Sequence, residues 1–201
     1  MFYRPEQGHG LPHNPFKAIV SPRPIGWIST RGTDGSNNLA PYSFFNGVAD
    51  APPQVMYSTT GVKPEQGTVK DTLTNIRETG VFCVNIVEFA MVAQMNVTTT
   101  HYDAGEDEFA LSGLEAAECE AINCAWIAQA PAAMECKLTQ IVELEGKANT
   151  AVFGEVVGVY IRDNCLVNGR FDVTTYQPLA RLGYRDYTKV TEVFELARPD
   201  D

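Results

Sequence analysis

The sequence predicts a mainly β protein, an antiparallel barrel carrying a few helices on its flanks. Three observations predict it. Segments rich in β-branched and aromatic residues recur along the 201 residues, with turn residues between them. Helical periodicity is confined to two stretches, so helices do not alternate with strands as a doubly wound α/β sheet requires. A Gly-x-Gly-x-x-Gly fingerprint is absent, which argues against a Rossmann dinucleotide domain.

Lys17–Thr30 and Asn37–Asn46 are read as the first two strands. Arg31–Ser36 joins them as a hairpin turn, because Asp34-Gly35 followed by a small polar residue supports tight reversal. Pro52-Pro53 breaks the chain before a third strand, Gln54–Thr60. A helix is expected over Thr68–Thr79, with Val69, Leu73 and Ile76 on one face, Thr68 as its cap and Gly80 ending it. Val81–Val87 has the composition of a central strand. Glu88–Asn96 is the second helix, with Phe89, Val92, Ala93 and Met95 available for packing. From Thr98 to Gly113 the chain turns polar and acidic and reads as a loop. Ala132–Leu144 and Thr150–Arg162 are long antiparallel strands, turned by Glu145–Asn149. No linker or repeat divides the chain, so residues 1–201 read as one domain with residues 1–16 as an N-terminal arm.

Composition narrows the function. Apolar residues make up 44% of the chain, which favours a packed fold over disorder, and the formal charge of −10 gives nucleic acid or an anionic membrane little to bind. Met1–Pro5 lacks the apolar core of a signal peptide, so a cytoplasmic location is expected. The five cysteines are scattered; Cys119 and Cys124 lie closest together, without the paired spacing of a metal site, and read as reduced thiols. His9, His13 and His101 form no metal spacing, and a solvated loop position suits His101 better than an acid–base role. The run Glu106-Asp107-Glu108 reads as a solvated face, with Phe109 beside it able to close over a pocket. No Gly-x-Ser-x-Gly elbow supports a hydrolase.

Two segments carry chemistry. Ser43-Phe44-Phe45-Asn46 places polar side chains around two aromatics, a mixture suited to the edge and face of a flat ring system such as a flavin. Lys70-Asp71-Thr72 falls at a helix start, where unpaired N–H groups and the dipole favour a phosphate, and Lys63 lies upstream. Alone, that triplet reads as an ordinary helix start. Beside the Ser-Phe-Phe-Asn strand it reads as a phosphate site.

The chain resembles the flavin reductase-like family of FMN-binding split β-barrels, the group that includes flavoredoxin. The resemblance rests on Arg23–Thr30, Ala40–Asn46, Lys70–Arg77, Phe82–Asn85, Asp107–Phe109, Glu135–Leu138, Gly154–Val157 and Leu179–Tyr184, in family order. It implies a homodimer of antiparallel split β-barrels with FMN held non-covalently near the interface. It places Pro24, Ile25, Gly26, Ser43, Phe44, Phe45 and Asn46 along the ring, Lys70, Asp71 and Thr72 on the phosphate, and Arg181 beside the flavin or substrate. NADH or NADPH is the implied electron donor, and a free flavin, a small molecule or a redox protein the acceptor. No side chain is required for hydride transfer, so no catalytic residue is assigned. Tyr184 departs from the pattern, since a second small residue is expected after Gly183. An FMN electron carrier without NAD(P)H turnover and a flavin-free binding module remain as alternatives.

Overall fold

The computed structural model describes residues 1–62, 69–103 and 105–199. In chain order these form α1 (Phe16–Ile19), β1 (Arg23–Pro24), β2 (Gly26–Arg31), β3 (Asn37–Tyr42), β4 (Phe45–Asp50), β5 (Pro53–Thr60), α2 (Asp71–Thr79) and β6 (Val81–Ile86). Then follow α3 (Val92–Val97), α4 (Glu108–Ser112), β7 (Ala116–Glu118), β8 (Ala125–Ile127), β9 (Ala132–Leu144) and β10 (Asn149–Ile161). The chain ends with β11 (Leu166–Val167), β12 (Arg170–Phe171), α5 (Val173–Tyr176), β13 (Leu179–Arg181) and β14 (Tyr187–Lys189).

Seven strands build one antiparallel sheet in the order β3-β2-β6-β9-β10-β5-β4. Ile28, Tyr42, Phe45, Tyr57, Phe82, Cys136 and Val152, one from each of the seven, meet in a single buried cluster that Leu73 and Ile76 of α2 complete. A sheet whose every strand reaches one core must curl around it. That is the barrel. Alternate residues of the same strands point the other way, and Trp27 and Leu39 join Met91, Met95, Phe109 and Ile127 in a second core beneath α3 and α4. Strand β2 is therefore buried on both faces. The buried Asn85 amide ties the layers: it donates to the Trp27 carbonyl (2.9 Å) and Ser29 Oγ (3.1 Å) and accepts from Ile127 N–H (2.8 Å).

The β2–β3 hairpin forms as expected, with Gly35 at φ +87° and Asp34 accepting from Ser36 N–H and Oγ. The long β9–β10 pair and central β6 are also where the sequence puts them. Four readings are corrected. Lys17–Thr30 is not one strand: Phe16–Ile19 turns helically, and only β1 and β2 are extended. Pro22 and Pro24 supply no N–H to a ladder, and buried Arg23 takes the carbonyls of Lys17 and Val20 that a strand would use.

Asn37–Asn46 breaks at Ser43-Phe44 into β3 and β4, which are the two edge strands of the sheet. Ser58 N–H donates to the Phe44 carbonyl (2.7 Å), fastening that corner to β5. The second helix begins as a 3-10 turn, Phe89–Met91, and leaves Phe89 exposed beneath the Lys189 ammonium (3.9 Å to the ring centre) while Met91 and Met95 face the core. Finally, Thr98–Gly113 contains α4, capped by the Asp107 carboxylate on the N–H groups of Phe109 and Ala110 and ended by Gly113 at φ +69°. Phe109 is core, not a flap. The first long helix starts at Asp71, with Lys70 at its cap position and Val69 exposed ahead of it; Lys63 and Thr68 lie outside the described residues.

Candidate functional site

A cleft opens between β3, the start of α2, the Thr98–Tyr102 segment and α4. Each wall is held from below. Asn38 Nδ2 donates to Thr72 Oγ1 (2.9 Å), locking the first turn of α2 to β3. Trp27 Nε1 donates to Thr98 Oγ1 (2.9 Å), which itself donates to the Met95 carbonyl, so the end of α3 is pinned across the second core. Glu108 Oε2 accepts from Leu39 N–H (2.9 Å) and docks α4 on β3.

Charge is concentrated at one end. The half-buried Lys70 ammonium lies 5.5 Å from the Tyr42 ring centre, and Lys17 Nζ and the Arg23 guanidinium each lie 5.7 Å from that of Phe44. Burial, then the Lys17 charge, lowers the Lys70 pKa. Three cations thus gather at the Tyr42–Phe44 corner of a chain with formal charge −10. With the α2 N-terminus and the Thr72 hydroxyl alongside, the donor set fits a phosphate attached to a flat ring system.

The other sequence-selected residues fall in several places. Lys70, Asp71 and Thr72 line the cleft. Ser43 and Phe44 form the adjoining corner, where Ser43 Oγ accepts from Arg23 Nε (3.4 Å). Ile25 and Phe45 point their side chains into the two cores, leaving only main chain for a ligand. Gly26 is required by Phe45: a Cβ there would stand 2.8 Å from the ring. Pro24 is exposed opposite Ala180, and Asn46 is exposed on edge strand β4 opposite Met56. Arg181 pairs across from Arg23, donates to Tyr187 Oη and the Tyr184 carbonyl, and lies over the Tyr187 ring. Tyr184 itself is half-exposed at φ +55° and lines a separate cleft with His13, Phe16 and Lys17.

Sequence reading missed Asn38, Tyr42, Thr98–Thr100, Tyr102 and Glu108, and it gave exposed His101 no place in a cleft wall. Two signals were present: three consecutive threonines, and Asp107 placed to cap a short helix ending at Gly113. Burial pushes the Tyr42 hydroxyl up to about 12. Glu108 is raised to about 7, first by burial, with the Leu39 N–H opposing and the Asp71 and Asp107 charges adding to it.

That shift carries a stability consequence. Unfolded, Glu108 loses its proton near 4.5, and folded near 7. Between those values the folded chain binds the extra proton, so stability falls as pH rises through the window. Glu108→Gln, which keeps an acceptor for Leu39 N–H and cannot ionise, is expected to raise the melting temperature at pH 8 by roughly 4 °C and leave it nearly unchanged at pH 5. Thermal melts followed by circular dichroism at the two pH values check this.

The family described as Flavin reductase like domain matches residues 20–179. The chain belongs to this family. Among solved structures, nitrilotriacetate monooxygenase component B from Bacillus cereus is similar with a TM-score of 0.88 at 30% identity, over 98% of each chain. The 2-nitrobenzoate 2-nitroreductase of Pseudomonas fluorescens is similar with a TM-score of 0.80 at 31% identity, over 92% of this chain and 88% of that one. Flavoredoxin of Desulfovibrio vulgaris (Miyazaki F) shares the fold, with a TM-score of 0.78 at 23% identity over 90% of this chain and 93% of its own. The antiparallel barrel is thus the split barrel of flavin reductase-like proteins. Among the described residues no His, Cys, Asp or Glu group is arranged to hold a metal ion, and no helix is long and apolar enough to cross a membrane.

Proposed function

We propose that this chain binds FMN and works as an oxidoreductase of the flavin reductase type, taking electrons from NADH or NADPH and passing them to a flavin or another acceptor. The observation that carries the reading is Lys70-Asp71-Thr72 at the N-terminus of α2, lining a cleft beside the cationic Tyr42–Phe44 corner, in a chain of this family. Lys70 and Thr72 hold the phosphate. Main-chain groups of Pro24–Gly26 and Ser43–Asn46 meet the ring edge, and Arg181 stands at the substrate side. FMN supplies the redox chemistry when bound, and the chain supplies orientation, hydrogen bonds and charge. The assembly is a homodimer with the cofactor near the interface. Similarity at 30% identity to a monooxygenase component and at 31% to a nitroreductase supports an oxidoreductase with its own acceptor. The charge of −10 favours a second reading, an electron carrier that meets a basic redox protein and does not turn over NAD(P)H.

A visible spectrum after FMN titration, then steady-state NADH and NADPH oxidation with added flavin, tests the two in turn. Lys70→Ala combined with Thr72→Ala is expected to weaken FMN binding by about tenfold to a hundredfold, since a charged hydrogen bond contributes roughly 1.5–3 kcal/mol. Unchanged affinity would refute the phosphate assignment.

A further inference from the structure

The cleft contains an acid that the phosphate reading leaves unused. Glu108 is buried to 8% residual exposure, and one of its oxygens accepts from Leu39 N–H, yet the side chain forms part of the cleft wall. Among the described residues it has no ion-pair partner, unlike Glu88 on Arg162 or Glu118 on Arg31. The groups around it are mostly anionic or neutral. Asp107 caps its own helix, Asp71 faces it from the start of α2, Tyr42 from β3, and His101 and Tyr102 from the segment after α3; among the described residues Lys70 is the one lysine or arginine on the wall.

We propose that Glu108 is a ligand-binding residue of this cleft that acts in its neutral form, so that uptake of a phosphate-bearing flavin is linked to uptake of a proton. The proposal rests on the reading above that the cleft takes FMN. An ionised Glu108 would add a third carboxylate beside Asp71 and Asp107, in a site that must also accept a phosphate. Protonated, the same carboxyl removes that repulsion, keeps its bond from Leu39 and presents an O–H donor to the ligand. Its titration near 7 puts the change within the ordinary working range.

The test is FMN affinity, read by flavin fluorescence quenching, for the full chain between pH 6 and pH 8. For the native chain the dissociation constant is expected to rise about tenfold over that range, because binding selects the protonated form of a group that titrates near 7, and the slope reaches one proton taken up per ligand only above that pH. Glu108→Gln keeps a donor, cannot ionise, and is expected to bind FMN with the pH 6 affinity throughout, apart from titration of the FMN phosphate itself. Identical pH profiles for the two proteins would overturn the proposal. If Glu108→Gln does not fold, calorimetry on the native chain at pH 7.5 in two buffers of different ionisation enthalpy decides: net proton uptake supports the linkage, and binding without uptake overturns it. Absence of FMN binding at every pH would instead refute the functional reading on which the proposal rests.

Discussion

Gly154→Ala is expected to be among the most damaging single substitutions in the barrel. Gly154 is buried in β10, and a Cβ there would stand 2.5 and 2.7 Å from two atoms of the Phe82 ring and 3.2 Å from the Cys136 Cβ. Phe82 has no room to yield: it is fully buried and packs edge-on against the Tyr57 ring at 6.0 Å. Overpacking of this kind costs about 1–3 kcal/mol or more, a fall in melting temperature of roughly 5–10 °C for a domain of this size. Gly47→Ala is the matched control. It also sits in a strand, but its Cβ would meet nothing within 4 Å. Thermal melts of the two variants should differ by most of the Gly154 effect; equal, small shifts would mean that the Phe82 layer is looser than its burial indicates.

Trp27→Ala is the second large effect, and it reaches the cleft. The indole is fully buried in the second core, so its removal costs about 3–5 kcal/mol through lost contacts and the cavity left behind. It also removes the donor to Thr98 Oγ1. The expected result is a melting temperature lower by roughly 8–15 °C, together with weaker FMN binding at a temperature where the variant remains folded. Trp27→Phe separates the contributions: most of the apolar volume returns, and the bond to Thr98 does not. Weaker FMN binding by the phenylalanine variant, with stability largely restored, would locate the effect in the cleft wall.

The sequence was most legible where local preference and final position agree. The β9–β10 hairpin has two strands of 13 residues, whose pairing shifts register at Phe153/Gly154 and at Val156/Gly158, and β6 has apolar residues on both faces. The break at Ser43 was illegible for the opposite reason. Tyr42, Ser43, Phe44 and Phe45 would all suit a strand, and what ends β3 there is the need to pass from one edge of the curled sheet to the other. Glu108 misled because charge runs are read by composition, while its burial depends on where α4 docks against Leu39, 69 residues away. Arg23 opens one of the segments that carry the family resemblance. The fold uses it to gather the carbonyls of Lys17, Val20 and Leu182 into one joint between the N-terminal arm and the β1–β13 pair. Lys70-Asp71-Thr72 was read at a helix start, a short-range feature, and the structure has that start at Asp71 with Lys70 at the cap position.

The strand order also governs when a growing chain can close. By the time a ribosome has synthesised residue 131, five of the seven strands, β2 to β6, exist. They pair only as two separate pieces, β3-β2-β6 and β5-β4. The edge of β6 and the edge of β5 stay open until β9 and β10, which end at Ile161, slide in between them as the last staves. Nascent chains halted short of that point would present two unsatisfied strand edges to the crowded cell, where capture by a chaperone or by another stalled copy competes with completion.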